Sequence, residues 1–106
     1  MKTIAEPEVG QESSSKTEGL YHVIILNDDD HTVEYVVEML QALLGLSSAD
    51  ALARTLEADS TGSSIVSTCS LEEAETKRDR IHAYGPDWRL PHSRSSVAAL
   101  VEPAAS

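Results

Sequence analysis

The sequence predicts a small α/β domain in the order β-α-α-β-α-β, with a three-stranded sheet and three helices packed on one face. Three observations lead there. An apolar, β-branched run at 20–26 passes into an acidic turn and then into apolar residues at helical spacing. A capping box, Ser70-Leu-Glu-Glu73, opens a later helix. The other strand-like segments are few and short, so one helical layer over one small sheet is the natural way to bury them.

The first strand is apolar at nearly every position from Val23, as a buried strand requires. Thr32 or Asp30 can cap the first helix, in which Val33, Val36, Val37, Leu40, Leu43 and Leu44 share a face and which Gly45 ends. Ser47 or Ser48 caps a second helix of about ten residues, with Ala51, Leu52, Thr55 and Leu56 expected inward. Residues 60–62 read as a turn and 64–68 as a second strand. The third helix follows the capping box, with Leu71, Ala74 and Ile81 as its apolar stripe, and ends near Tyr84-Gly85-Pro86. A loop at 86–95 precedes a last strand at 97–102. Residues 1–19, rich in Glu, Ser, Thr, Gly and Pro, are expected to be a disordered N-terminal extension, leaving 20–104 as the folded domain.

A chain of 106 residues has room for one modest core, and with no Phe and one Trp that core must be aliphatic. The formal net charge of -10 argues against nucleic acid, where affinity comes largely from Lys and Arg, and against anionic membrane surfaces. It fits a partner with a positive patch or a cationic ligand, and equally a surface that only keeps the chain soluble. The single cysteine, Cys69, excludes an internal disulfide and agrees with a reducing compartment. Cys69 lacks a His neighbour in sequence and reads as a buried structural residue. The first residues hold no apolar signal segment and no run approaches the roughly 20 residues that span a bilayer, so a cytoplasmic protein without membrane association is expected.

The densest chemistry lies in the turn, where Asn27, Asp28, Asp29, Asp30 and His31 are consecutive. The spacing matches no EF-hand, no His pair has zinc-ligand spacing, and no phosphate loop or nucleophile elbow is present. Neither a metal, a cofactor nor a catalytic role is therefore expected, although a small acidic metal-binding protein using Asp28 to His31 stays open as an alternative. The carboxylates and the amide can accept charge-assisted hydrogen bonds from an ammonium group, and Val33 and Val36 beside them can receive an apolar side chain. A peptide N-terminus combines both features. Periodicity alone accounts for the turn differently, with the Asp residues capping the helix and the valines in the core.

Four segments carry a resemblance to a known family. Tyr21-His-Val-Ile-Ile-Leu-Asn-Asp-Asp29, Glu34-Tyr-Val-Val-Glu38, Ala74-Glu-Thr-Lys77 and Val101-Glu-Pro-Ala104 resemble the ClpS adaptors of the bacterial Clp protease, over roughly 20–104. The resemblance implies a fold of the same β-α-α-β-α-β order and a non-enzymatic adaptor. Such an adaptor binds N-degron substrates by their free N-terminus and delivers them to a ClpA- or ClpC-type AAA+ unfoldase, which feeds ClpP. By the same resemblance Asn27 and Asp28 match the α-amino ligands and Asp29 supports the turn. His31, Val33, Val36, Ala58 and Val97 fall at the side-chain pocket, and Glu72, Glu75 and Lys77 on the helix face that meets the unfoldase N-domain. Four departures mark a divergent branch, one of them the Gly85-Pro86-Asp87-Trp88 break, which shortens the third helix and adds a loop absent from common members. The turn reads Asn-Asp-Asp-Asp-His-Thr where the family usually has Asn-Asp-Asp-Tyr-Thr-Pro. Asp59 stands where the family places a third amino-group ligand, a His. Val33 replaces a gating Met. A docking module that modulates the unfoldase without binding degrons is the nearest alternative.

Overall fold

A computed structural model of the chain describes residues 19–104. The elements are β1 (Tyr21–Leu26), α1 (Val33–Leu44), α2 (Ser48–Thr61), β2 (Ser63–Cys69), α3 (Leu71–His82) and β3 (Ala99–Pro103). The order is the expected one. The three strands form one antiparallel sheet with β1 in the centre, in the order β2-β1-β3. The expected disorder of 1–19 concerns residues that, Gly19 apart, lie outside the described ones.

Strand alternation places Val23 and Ile25 of β1, Ser64 of β2 and Ala99 of β3 on the covered face, each almost fully buried. Between Val23 and Ile24 the pairing with β2 slips by one residue: Val23 pairs with Ser67 and Ile24 with Ile65. The unpaired residue is Val66, inward in phase with Ser64 at 6% exposure, and the bulge sets Ser67 opposite the inward Val23. The opposite face carries a row of aliphatic partners, Ile65–Ile24–Leu100. The helices close the core with Tyr35, Val36, Met39 and Leu40 of α1, Ala51 and Ala58 of α2, and Ala74 and Ile81 of α3. Among the described residues no helix is long and apolar enough to cross a membrane.

Each helix starts on a side-chain cap. Thr32, Ser47 and Ser70 accept from the backbone N–H of Tyr35, Asp50 and Glu73, and Glu73 returns the bond to Ser70 to complete the capping box. Gly45 and Gly62, at φ +68° and +100°, end α1 and α2 in the left-handed region.

Several expectations are corrected. Helix α2 has 14 residues rather than about ten, because 60 and 61 form its last turn. Its buried face is Ala51, Thr55 and Ala58, whereas Leu52 and Leu56 are 43% and 47% exposed. Small residues win that face because α2 lies against both α1 and β2, where a leucine would hold the backbones apart. Leu71, expected in the apolar stripe of α3, is 42% exposed, since it opens the helix at the end of the sheet. Helix α3 stops at His82, ahead of the predicted Tyr84-Gly85-Pro86. Strand β3 begins at Ala99, not at Val97, and includes Pro103, whose missing N–H is tolerated on an edge strand. Cys69 is half-buried rather than a core residue.

Candidate functional site

At the end of β1 the chain is fixed from both sides. Leu26 N–H donates to the Ala98 carbonyl (3.1 Å) and Asn27 N–H to the Gly62 carbonyl (2.9 Å). Gly62 N–H in turn donates to Ala58 O (2.8 Å), so the last turn of α2, which carries Asp59, abuts Asn27. The acidic turn then folds on itself: Asp28 Oδ1 accepts from the N–H of Asp30 at 2.9 Å, a local Asx-type turn.

An open cleft lies between β1, the N-terminus of α1, the C-terminal half of α2 and the segment before β3. Asn27, Asp28 and Asp59 line it, as do His31, Val33, Val36, Ala58 and Val97. All eight residues expected from the sequence to form the amino-group and side-chain sites therefore meet in one place. The cleft is shallow and open, with a cavity volume of about 30 Å³. Val36, Ala58 and Val97 form buried wall, and Val33 stands at 37% exposure. Asp29 lies on the exposed turn outside the lining.

His31 holds the cleft to the long loop. Its Nδ1 lies 2.8 Å from both Asp28 carboxylate oxygens, its Nε2 lies 2.7 Å from the Ser95 carbonyl, and its ring packs on Tyr35 at 4.6 Å. The carboxylate of Asp59 has no hydrogen-bond or ion-pair partner among the described residues.

Two contributors escaped the sequence reading. Thr55 lines the cleft, its hydroxyl donating to Ala51 O (2.7 Å) within the helix; the signal was its place one turn before Asp59. The other is Asp87, in the loop at 86–95. Its carboxylate is 1% exposed. Oδ2 accepts from the N–H and hydroxyl of Thr32, both at 2.7 Å, and Oδ1 from the N–H (3.0 Å) and guanidinium (3.4 Å) of Arg89. Burial alone would raise this carboxyl, but the donors of Thr32 and Arg89 outweigh it and hold it at about 2. Tyr35 adds a second tie, its hydroxyl donating to Gly85 O (2.6 Å). Burial pushes that phenol up, so it stays a donor.

The residues expected at the unfoldase face lie apart from the cleft, on α3. Glu72 and Glu75 are exposed. Lys77 does not project freely from the solvent face: it is half-buried and its Nζ donates to Ser67 Oγ of β2 at 2.8 Å. The stem lies along the sheet because α3 crosses β2 there. For the metal-binding alternative, no three His, Cys, Asp or Glu side chains form a candidate metal group among the described residues.

The fold and cleft define a small recognition module, with an acidic rim that accepts hydrogen bonds and an apolar wall beneath it. Residues 16–89 match the family model of the ATP-dependent Clp protease adaptor protein ClpS, and the chain belongs to that family. It is 34% identical over 95 residues to the ATP-dependent Clp protease adapter protein ClpS of Desulforapulum autotrophicum, across 84% of this chain and 91% of that protein. It is 33% identical over 86 residues to the ClpS adapter of a Synechococcus species, across 80% and 92%. The structure of Agrobacterium tumefaciens ClpS2 bound to L-phenylalaninamide superimposes with a TM-score of 0.70 at 29% identity, over 82% of this chain and 99% of that one. The family indicated by the Asn-Asp-Asp turn and the Ala-Glu-Thr-Lys segment is the one the chain belongs to.

Proposed function

We propose that this adaptor binds N-degron substrates by their free N-terminus and delivers them to a ClpA- or ClpC-type AAA+ unfoldase for degradation by ClpP. Asn27, Asp28 and Asp59 receive the α-ammonium group. Val33, Val36, Ala58 and Val97 receive the first side chain, with His31 at the side. The observation that carries this reading is the convergence of acceptors and apolar wall, from separate segments of the chain, in one open cleft. The ligand of the Agrobacterium relative, L-phenylalaninamide, is an amino-acid amide with the two features such a cleft can use. The adaptor itself hydrolyses nothing and works in the cytoplasm.

Fluorescence anisotropy with peptides differing only in their first residue tests the reading. Affinities should span at least about tenfold between an apolar and an acidic first residue, since one pocket contact is worth roughly 1–3 kcal/mol. Affinities independent of the first residue would leave only a docking module.

The unfoldase meets α3 at Glu72, Glu75 and Lys77. Lys77→Glu should weaken binding of the isolated unfoldase N-domain about tenfold and leave peptide affinity unchanged, because Lys77 lies outside the cleft. The bond to Ser67 is lost as well, at about 1 kcal/mol, so circular dichroism must accompany the titration. A parallel loss of peptide binding would mean that α3 is no separate docking face.

A further inference from the structure

The cleft holds two carboxylates in different states. Both oxygens of Asp28 face the Nδ1 of His31 at 2.8 Å, and Oδ1 also accepts from Asp30 N–H. Asp59, an exposed residue at the cleft lining, has no such partner among the described residues.

The ring of His31 decides what this asymmetry means. Its other nitrogen, Nε2, faces the carbonyl of Ser95 at 2.7 Å. A carboxylate and a carbonyl only accept hydrogen bonds, and a neutral imidazole has one N–H to give. A ring that makes both bonds holds both protons and is a cation. It cannot readily turn away to lose one, because its side chain is 4% exposed and stacked on Tyr35.

The surrounding charges are committed elsewhere. His92 approaches the Asp29 carbonyl (3.0 Å) and Asp30 Oδ1 (3.5 Å), Asp87 accepts from Thr32 and Arg89, and the Tyr35 hydroxyl is bound to Gly85. Among the described residues Asp28 is thus the one carboxylate bonded to the ring. Ser95 is held in turn, since its neighbour Ser96 accepts from Gly85 N–H at 2.6 Å and the loop is anchored through Asp87.

We infer that His31 is a positioning residue: as a cation bridging Asp28 to the Ser95 carbonyl it fixes and neutralises Asp28, leaving Asp59 as the counter-charge of the bound ammonium group. This rests on the reading of the cleft as an N-terminus site. Asp28 still offers a hydrogen bond, but the net charge facing the ligand is that of Asp59 alone. The element that sets it, His31, belongs to the departure of the turn from the usual family sequence.

Two measurements on the full chain test the inference. The first needs no ligand. With ¹⁵N-labelled histidine, a long-range ¹H–¹⁵N spectrum at neutral pH should show both His31 ring nitrogens protonated, and the Asp28→Asn variant should return that ring to a one-proton pattern. One bare nitrogen in the unmodified chain overturns the bridge. The second compares binding of a leucine-first peptide with its acetylated form. Asp59→Asn should remove most of the preference for the free peptide, at least about tenfold, and Asp28→Asn clearly less. The reverse order overturns the assignment to Asp59. An unmodified chain with no preference overturns the N-terminus reading itself, and the spectrum still decides whether the bridge exists.

Discussion

Asp87→Ala is expected to destabilise the fold by roughly 3 kcal/mol at neutral pH, the largest loss foreseen here for a residue outside the apolar core. The side chain is buried and accepts from four donors, two on Thr32 and two on Arg89. Truncation leaves the N–H groups of Thr32 and Arg89 without their acceptor and the Arg89 guanidinium without one of its two carboxylates. It also unties the loop from the start of α1, so the Ser95 carbonyl and Val97 lose their fixed place in the cleft. For a domain of this size the melting temperature should fall by on the order of 15 °C. The pH dependence has a definite sign. The carboxyl sits at about 2 in the fold against an ordinary 3.8. A depressed carboxyl stabilises fully above the ordinary value and loses its contribution as pH falls through the folded one. The gap between the native chain and Asp87→Ala should therefore be constant above about pH 5 and narrow toward pH 2. Urea melts at several pH values measure it. A gap below about 1 kcal/mol at neutral pH would mean that the loop is held by other contacts.

Much of the fold was legible because its signals are local. The apolar run of β1, the Thr32, Ser47 and Ser70 caps and the two left-handed glycines each act within a few residues, and each element they mark is present. The face of α2 was misread for a physical reason. Leu52 and Leu56 look inward on hydropathy, but close packing against α1 and β2 selects Ala51, Thr55 and Ala58. Lys77, placed with Glu72 and Glu75 on a docking face through the resemblance, is half-buried, and its head meets Ser67 of the sheet.

The cleft was legible by a different route. Asn27, Asp28 and Val33 stood out as a turn, but Asp59, Ala58 and Val97 were joined to them only through the family resemblance. Nothing local in α2 or before β3 points to β1. Asp87 escaped altogether. A lone aspartate in a loop with Pro and Arg reads as solvated surface, and its partner Thr32 lies far back in the chain. The His31 bridge was likewise invisible, since one of its ends is a backbone carbonyl, which leaves no trace in residue identity.

On the proposed function the cleft receives a charged N-terminus. Acetylating the first residue of a binding peptide removes the positive charge and two of its hydrogen-bond donors, while leaving the first side chain intact. The acceptors Asn27, Asp28 and Asp59 then face a neutral group, and the Asp59 carboxylate remains uncompensated at the cleft. The loss should be about 2–4 kcal/mol, or roughly 30- to 1,000-fold in Kd. Added salt should weaken the free peptide and leave the acetylated one nearly unaffected, because only the former is held by charge at an exposed rim. Isothermal titration of the full chain with a leucine-first peptide and its acetylated twin is the direct measurement. Tight, salt-sensitive binding of the first and little binding of the second is expected; equal dissociation constants for the pair would mean that the cleft does not receive a charged N-terminus.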